Sequence, residues 1–198
     1  RGAAFIAAAS DLGLALLSDG SNFAGGLPGS TPSVFVDPTG AADALTGEIL
    51  VTDLDADPSQ LGSDSAGFPG HGALLGIDAV TGAVRLISDG SLGASGPPPA
   101  PARSWFEDPA GVAVATDGTR AYVLDSQADP LDLGARGAVF EVTLSSGVVR
   151  LVATSPLFNR PAFLAVLPNG SLVLSDQLAD PIGDGSRGCL FAVDPLVA

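Results

Sequence analysis

The sequence has no lysine and no methionine, one cysteine, one histidine and only three glutamates (Glu48, Glu107, Glu141). Its 198 residues carry 8 basic side chains, all arginine, against 22 acids, a formal net charge of −14. That balance excludes nucleic-acid binding, which needs a basic footprint to displace counterions from phosphate. One cysteine excludes an intrachain disulfide framework and any cysteine-based zinc site. The scarcity of Lys, Glu and Met removes residues that favour helices. What is abundant points the other way: 19 Asp, 26 Gly and 16 Pro favour turns. A hydrophobic fraction of 46% is too high for disorder. The composition predicts strands joined by many turns.

The length fits one domain, 1–198, or part of one. The apolar stretch at 3–17 is interrupted by Asp11 and Gly13. It is too short and too broken for a membrane span, and it is expected in a hairpin and not in a signal peptide.

Three copies of one pattern divide the chain. Asp53-Leu54-Asp55-Ala56-Asp57-Pro58, Asp125-Ser126-Gln127-Ala128-Asp129-Pro130 and Asp176-Gln177-Leu178-Ala179-Asp180-Pro181 share the form Asp-x-x-Ala-Asp-Pro, each after a short apolar run. A second block follows each copy: His71-Gly72-Ala73, Arg136-Gly137-Ala138 and Arg187-Gly188-Cys189. A fourth copy of it, Arg1-Gly2-Ala3, opens the chain. The spacing from the first Asp to this Gly is 12 residues in the last two copies and 19 in the first. The first copy therefore carries a loop insertion. A turn plus an apolar run comes third, at 81–87 and 146–152, with 12–17 on the same template. Pro109-Ala110-Gly111-Val112-Ala113-Val114 and Pro161-Ala162-Phe163-Leu164-Ala165-Val166 open their units, and Ser33-Val34-Phe35-Val36 is the weaker first copy.

Each unit thus holds four short apolar runs bounded by turn residues, with hairpin chemistry at Asp117-Gly118 and Asn169-Gly170. Four antiparallel strands, repeated, make the blade of a β-propeller. A sandwich also has short strands but would not repeat one motif at matching positions. The expected fold is all-β: about three four-stranded blades plus an extra strand. Residues 1–20 end a preceding blade, 33–90 and 105–154 are blades, 91–104 is a Pro-rich inter-blade loop, and 160–198 is an incomplete blade. The run Pro109–Val114, the Asp117-Gly118 turn and Tyr122-Val123-Leu124-Asp125 resemble the NHL-type propeller repeat. They are also similar to the six-bladed group that includes gluconolactonase and strictosidine-synthase-like proteins. Propellers close with about 4–8 blades. Three are therefore expected to belong to a longer ring, or to a half that closes with a second chain.

Asp53, Asp125 and Asp176 end the second strand of successive units, positions that a propeller places around one rim. Carboxylates converging there would suit a shared Ca²⁺, which takes 6–8 oxygen ligands. Alternatively, each Asp caps its own strand as in an Asx-turn. Asp53, Asp55, Asp57 and Asp64 form a second set that would suit Ca²⁺ within one loop, although Pro58 stands where an EF-hand needs Gly. Arg136, Arg187 and Arg1 are expected to pair with loop carboxylates or carbonyls. His71, in the matching position, reads as a solvated loop residue, and Cys189 as a small buried one. Trp105 and Phe106, beside Arg103, suit either an exposed contact patch or packing between blades.

The resemblance to gluconolactonases implies an axial divalent metal held by acidic and Asn side chains. Asp125, Asp176 and Glu107 match the acidic part, while Asn22, Asn159 and Asn169 include no clear equivalent of the Asn. Two functions stand at this point. The first is a non-catalytic, extracellular or periplasmic binding or scaffolding module, partnered by a protein or by a second chain that completes the ring. The second is a Ca²⁺-dependent lactone or ester hydrolase.

Overall fold

A computed structural model describes residues 4–5, 16–18, 34–59, 71–96, 104–134, 136–185 and 187–195. Among them are thirteen strands and no helix, so no helix is long and apolar enough to cross a membrane. Strands β1 (Ala4–Phe5) and β2 (Leu16–Ser18) pair with each other. Blade one comprises β3 (Pro38–Asp43), β4 (Glu48–Asp53), β5 (Ala73–Asp78) and β6 (Val84–Ser88). Blade two comprises β7 (Pro109–Val114), β8 (Arg120–Asp125), β9 (Ala138–Thr143) and β10 (Val149–Thr154). Blade three has β11 (Pro161–Val166), β12 (Leu172–Asp176) and β13 (Cys189–Val193). Each sheet is antiparallel and follows chain order from its first strand outward.

The central strands of blades one and two read as unbroken apolar runs because both faces of those sheets are covered. Successive side chains point to opposite faces. Leu50, Leu74, Val123 and Phe140 therefore join the layer between blades one and two, with Phe106 and Val112. Their neighbours Val51 and Leu75 enter the layer on the other side of blade one, where Leu17 of β2 also packs. Leu124 and Val139 enter the layer between blades two and three, with Phe158, Leu172 and Leu174. Among the described residues, blade three has one covered face. Leu164, Phe191 and Val193 pack toward blade two, while Phe163 (68% exposed) and Leu190 (73%) face outward.

The first strand of blade one differs from the expected one. It is Pro38–Asp43, matching Pro109–Val114 residue for residue in register, and not the run at 33–36. Val34 and Phe35 are core residues of the loop before it. The true repeat signal is Phe-x-x-Pro: Phe35 and Pro38, Phe106 and Pro109, Phe158 and Pro161. All three Phe are buried. The register also shifts at one matching point in every first strand, past Thr39, Ala110 and Ala162. Such bulges bend a strand and increase its twist. Thr39, on its bulge, donates its hydroxyl to the Pro109 carbonyl of the next blade at 2.8 Å.

The inter-blade loop lies against the outer strand of blade two as far as it is described. Val149 donates to the Leu92 carbonyl at 2.7 Å, and Ala94 donates to the Val149 carbonyl at 2.7 Å. These bonds cover part of the edge of β10.

Candidate functional site

The strand-end aspartates are the most constrained polar groups in the chain. Asp53 and Asp125 are 0% exposed and Asp176 is 2% exposed. Burying a carboxylate is tolerated only where hydrogen bonds replace its water. Asp125 accepts amide protons from Glu107 (2.8 Å), Asp108 (3.0 Å), Gln127 (3.0 Å) and Ala128 (2.8 Å). Asp176 accepts from Asn159 (2.8 Å), Arg160 (3.0 Å), Leu178 (3.0 Å) and Ala179 (2.9 Å). Asp53 accepts from Val36 (2.9 Å), Asp37 (3.0 Å), Asp55 (3.2 Å) and Ala56.

One side chain thus grips both the loop leading into its blade and the loop leaving its second strand. The pattern includes the Asx-turn expected from sequence, and adds the grip on the lead-in loop. Burial is the largest influence on Asp125, and it pushes the carboxyl up to about 6 against the opposing pull of the amides. Asp53 is raised for the same reason.

These carboxylates are not brought together. Each is enclosed by donors of its own blade, and among the described residues no three His, Cys, Asp or Glu side chains are grouped to hold a metal. A cation at any of the three would have to displace amide donors. Asp55 and Asp57 lie in the loop after β4, and both are engaged in interactions. Asp64 falls outside the described residues. Glu107 sits in the blade-two lead-in loop, contributing its amide to Asp125.

The second Asp of the motif shapes the following loop. Asp129 accepts from the amides of Leu133 (2.9 Å) and Gly134 (2.8 Å). Asp180 accepts from Gly183 (2.9 Å), Asp184 (3.2 Å) and Gly185 (2.8 Å).

The residues before each third strand depart from expectation. Arg136 and Arg187 are exposed, and among the described residues neither guanidinium joins an ion pair. The contact between loop and neighbouring blade is made instead by the glycine that follows. Gly72 and Gly137 have φ of +72° and +139°, and the space beside each is filled by the next blade's Pro109 or Pro161. A Cβ on Gly137 would overlap the Pro161 ring, 2.8 Å from Cδ and 2.9 Å from the Asp125 carbonyl.

His71, expected to be solvated, is 7% exposed with no hydrogen-bond partner at Nε2. Cys189 is half-buried and not fully buried. Trp105 and Phe106 pack between blades, edge to face against Phe140 at ring-centroid distances of 6.4 and 5.7 Å. Arg1 and Arg103 fall outside the described residues, as does Asn22.

The described arginines divide cleanly. Arg85 pairs with Glu48 at 2.6 Å, and Arg120 and Arg150 both reach Glu141, at 3.0 and 3.2 Å. These pairs run across strands. Arg136, Arg160 and Arg187 all lie in loops at the end of the blades that carries the Asp-x-x-Ala-Asp-Pro motifs, outside any ion pair among the described residues. Beside Arg136, between blades two and three, is a cleft of about 480 Å³ walled by Pro156, Leu157, Asn159, Leu178 and Asp180.

No family model matches the sequence, and no curated protein matches it. Solved structures are similar at low identity. One is a nidogen/laminin complex: 17% identity over 79% of this chain and 48% of that one, TM-score 0.47. A second is hydrazine synthase from Kuenenia stuttgartiensis: 14% identity over 82% and 39%, TM-score 0.41. A third is a luciferin-regenerating enzyme: 17% identity over 78% and 41%, TM-score 0.37. The chain spans half or less of the length of each. Its own strand order, bulges and repeated inter-blade contacts make it a segment of a β-propeller.

Proposed function

We propose that the chain acts as a non-catalytic binding or scaffolding module, and that its ring is completed by further blades seated on blade three. The observation that carries this reading is the outward half of an inter-blade contact on blade three. At the first two junctions a left-handed glycine receives the proline of the next blade. Gly188 also has a positive φ, +92°, yet among the described residues no atom would lie closer than 3.6 Å to a Cβ there. Phe163 and Leu190 stand beside it on an uncovered sheet face. Burying either side chain would contribute roughly 1.5–3 kcal/mol, which favours a covering blade.

The non-catalytic part of the reading is supported by the strand-end carboxylates, whose oxygens are committed to amides. A Lys-free, Asp-rich surface suits a setting outside the cytoplasm and a protein partner.

Light scattering tests the assembly. A mass above 19.5 kDa that rises with concentration is expected, and Phe163→Asp with Leu190→Asp should return it to the monomer. A wild-type chain that stays monomeric at about 100 μM and binds no hydrophobic dye would overturn the proposal.

A further inference from the structure

We propose that the cleft between blades two and three is a binding site for a small organic carboxylate with an apolar body, held by Arg136. The site supplies a ligand for the binding role above and rests on that role, but not on completion of the ring. The cleft is open to solvent, and its volume of about 480 Å³ would admit a small organic molecule.

The charge of the site follows from comparing two junctions built on one plan. The first presents Trp105, Glu107 and Asp108 before its proline, with His71 opposite; the second presents Leu157, Asn159 and Arg160, with Arg136 opposite. Two acids have become an amide and a cation, and a buried imidazole has become an exposed guanidinium. The bulky Trp has become a Leu, and Leu157 lines the cleft. This local reversal stands out in a chain of net charge −14.

The acid on the cleft wall, Asp180, makes no ion pair with Arg136. Both Asp180 oxygens take amide protons from its own loop. Asn159 donates its side-chain amide to the Leu178 carbonyl at 3.2 Å, which fixes one wall. The Arg136 amide donates to the Phe158 carbonyl at 3.4 Å, which holds the arginine at the mouth. A planar guanidinium binds carboxylate with two parallel hydrogen bonds. Pro156, Leu157 and Leu178 offer apolar contact that a fully hydrated oxyanion would not use.

The test is an amide-shift titration of the full chain with hexanoate, hexanamide and inorganic phosphate. Hexanoate is expected to shift Gly134, Phe158 and Leu178 saturably. Hexanamide should bind at least tenfold more weakly, and Arg136→Gln should weaken hexanoate at least tenfold. Arg187→Gln, at the matching position of blade three, should leave the affinity unchanged.

Absence of saturable shifts, equal binding of hexanoate and hexanamide, or unchanged hexanoate binding in Arg136→Gln would overturn the proposal. Tighter binding of phosphate than hexanoate at the same amides would replace it with an inorganic-anion site. Unchanged urea midpoints of both variants establish that the fold is intact. A monomeric mass in light scattering would sink ring completion and leave this result standing.

Discussion

Substituting Gly137 by alanine isolates the energy of an inter-blade contact. Two costs add. A non-glycine residue at φ +139° sits in a sparsely populated region, worth about 1–3 kcal/mol. The new methyl would also overlap the Pro161 ring and approach the Asp125 carbonyl to 2.9 Å, and overpacking of this kind costs about 1–3 kcal/mol. The sum is roughly 2–6 kcal/mol, a large share of the ~5–15 kcal/mol that holds a typical domain folded.

Gly188→Ala, made together with Phe163→Asp and Leu190→Asp so that the chain stays monomeric, is the internal control. It keeps a backbone penalty at φ +92° but meets nothing closer than 3.6 Å, so it should cost about 1–3 kcal/mol less. Urea denaturation followed by the fluorescence of Trp105, the one tryptophan, measures both. Its ring lies 6.4 Å from Phe140 in blade two and will report that blade's unfolding. The double variant Gly137→Ala/Pro161→Ala should recover part of the loss, because the clashing ring is gone, with a coupling of about 1 kcal/mol or more. If Gly137→Ala and Gly188→Ala cost the same, and Pro161→Ala rescues nothing, the glycine–proline contact does not hold the blades together.

Two further outcomes concern the strand-end aspartates. Between the ordinary Asp value of 3.8 and the raised value of about 6, native Asp125 keeps a proton that the unfolded chain has lost. Its contribution to stability therefore falls as pH rises across that window, by up to about 3 kcal/mol at ~1.4 kcal/mol per pH unit. The stability of the wild type relative to Asp125→Asn should shrink from pH 4 to pH 7, as read from urea midpoints. A difference that widens with pH would show the amide donors outweighing burial. Because the carboxylates are committed to backbone amides, millimolar Ca²⁺ or EDTA should move the melting temperature by less than about 1 °C. A rise of several degrees with Ca²⁺, lost in Asp53→Asn or Asp176→Asn, would support the metal reading instead.

Blade structure was legible because sheets covered on both faces leave continuous apolar runs, and Ile49-Leu50-Val51 and Tyr122-Val123-Leu124 are such runs. The Asp-x-x-Ala-Asp-Pro motif was visible too, but half of its bonding was not. Its other donors are the amides of Val36, Glu107 and Asn159, three residues with nothing in common as side chains. The displaced first strand had a simpler cause. Pro38-Thr39-Gly40 continues into Ala41-Ala42-Asp43, which is less apolar than Val34-Phe35-Val36, so hydrophobicity alone chose the wrong run. The Phe-x-x-Pro spacing would have corrected it. Burial of His71 was hidden because its aligned partners are arginines, and the two that are described, Arg136 and Arg187, are exposed.

The backbone grip of the strand-end aspartates also bears on how this molecule can change. A carboxylate that holds amides is indifferent to the side chains attached to them. Position 36 asks only for an amide, whereas at 159 the Asn side chain also holds the Leu178 carbonyl and Glu107 is engaged in a further interaction. The rim therefore leaves position 36 open to variation on a frame that all three blades share. Exchange of the side chain at position 36 should change the rim's surface while leaving the strands beneath it untouched.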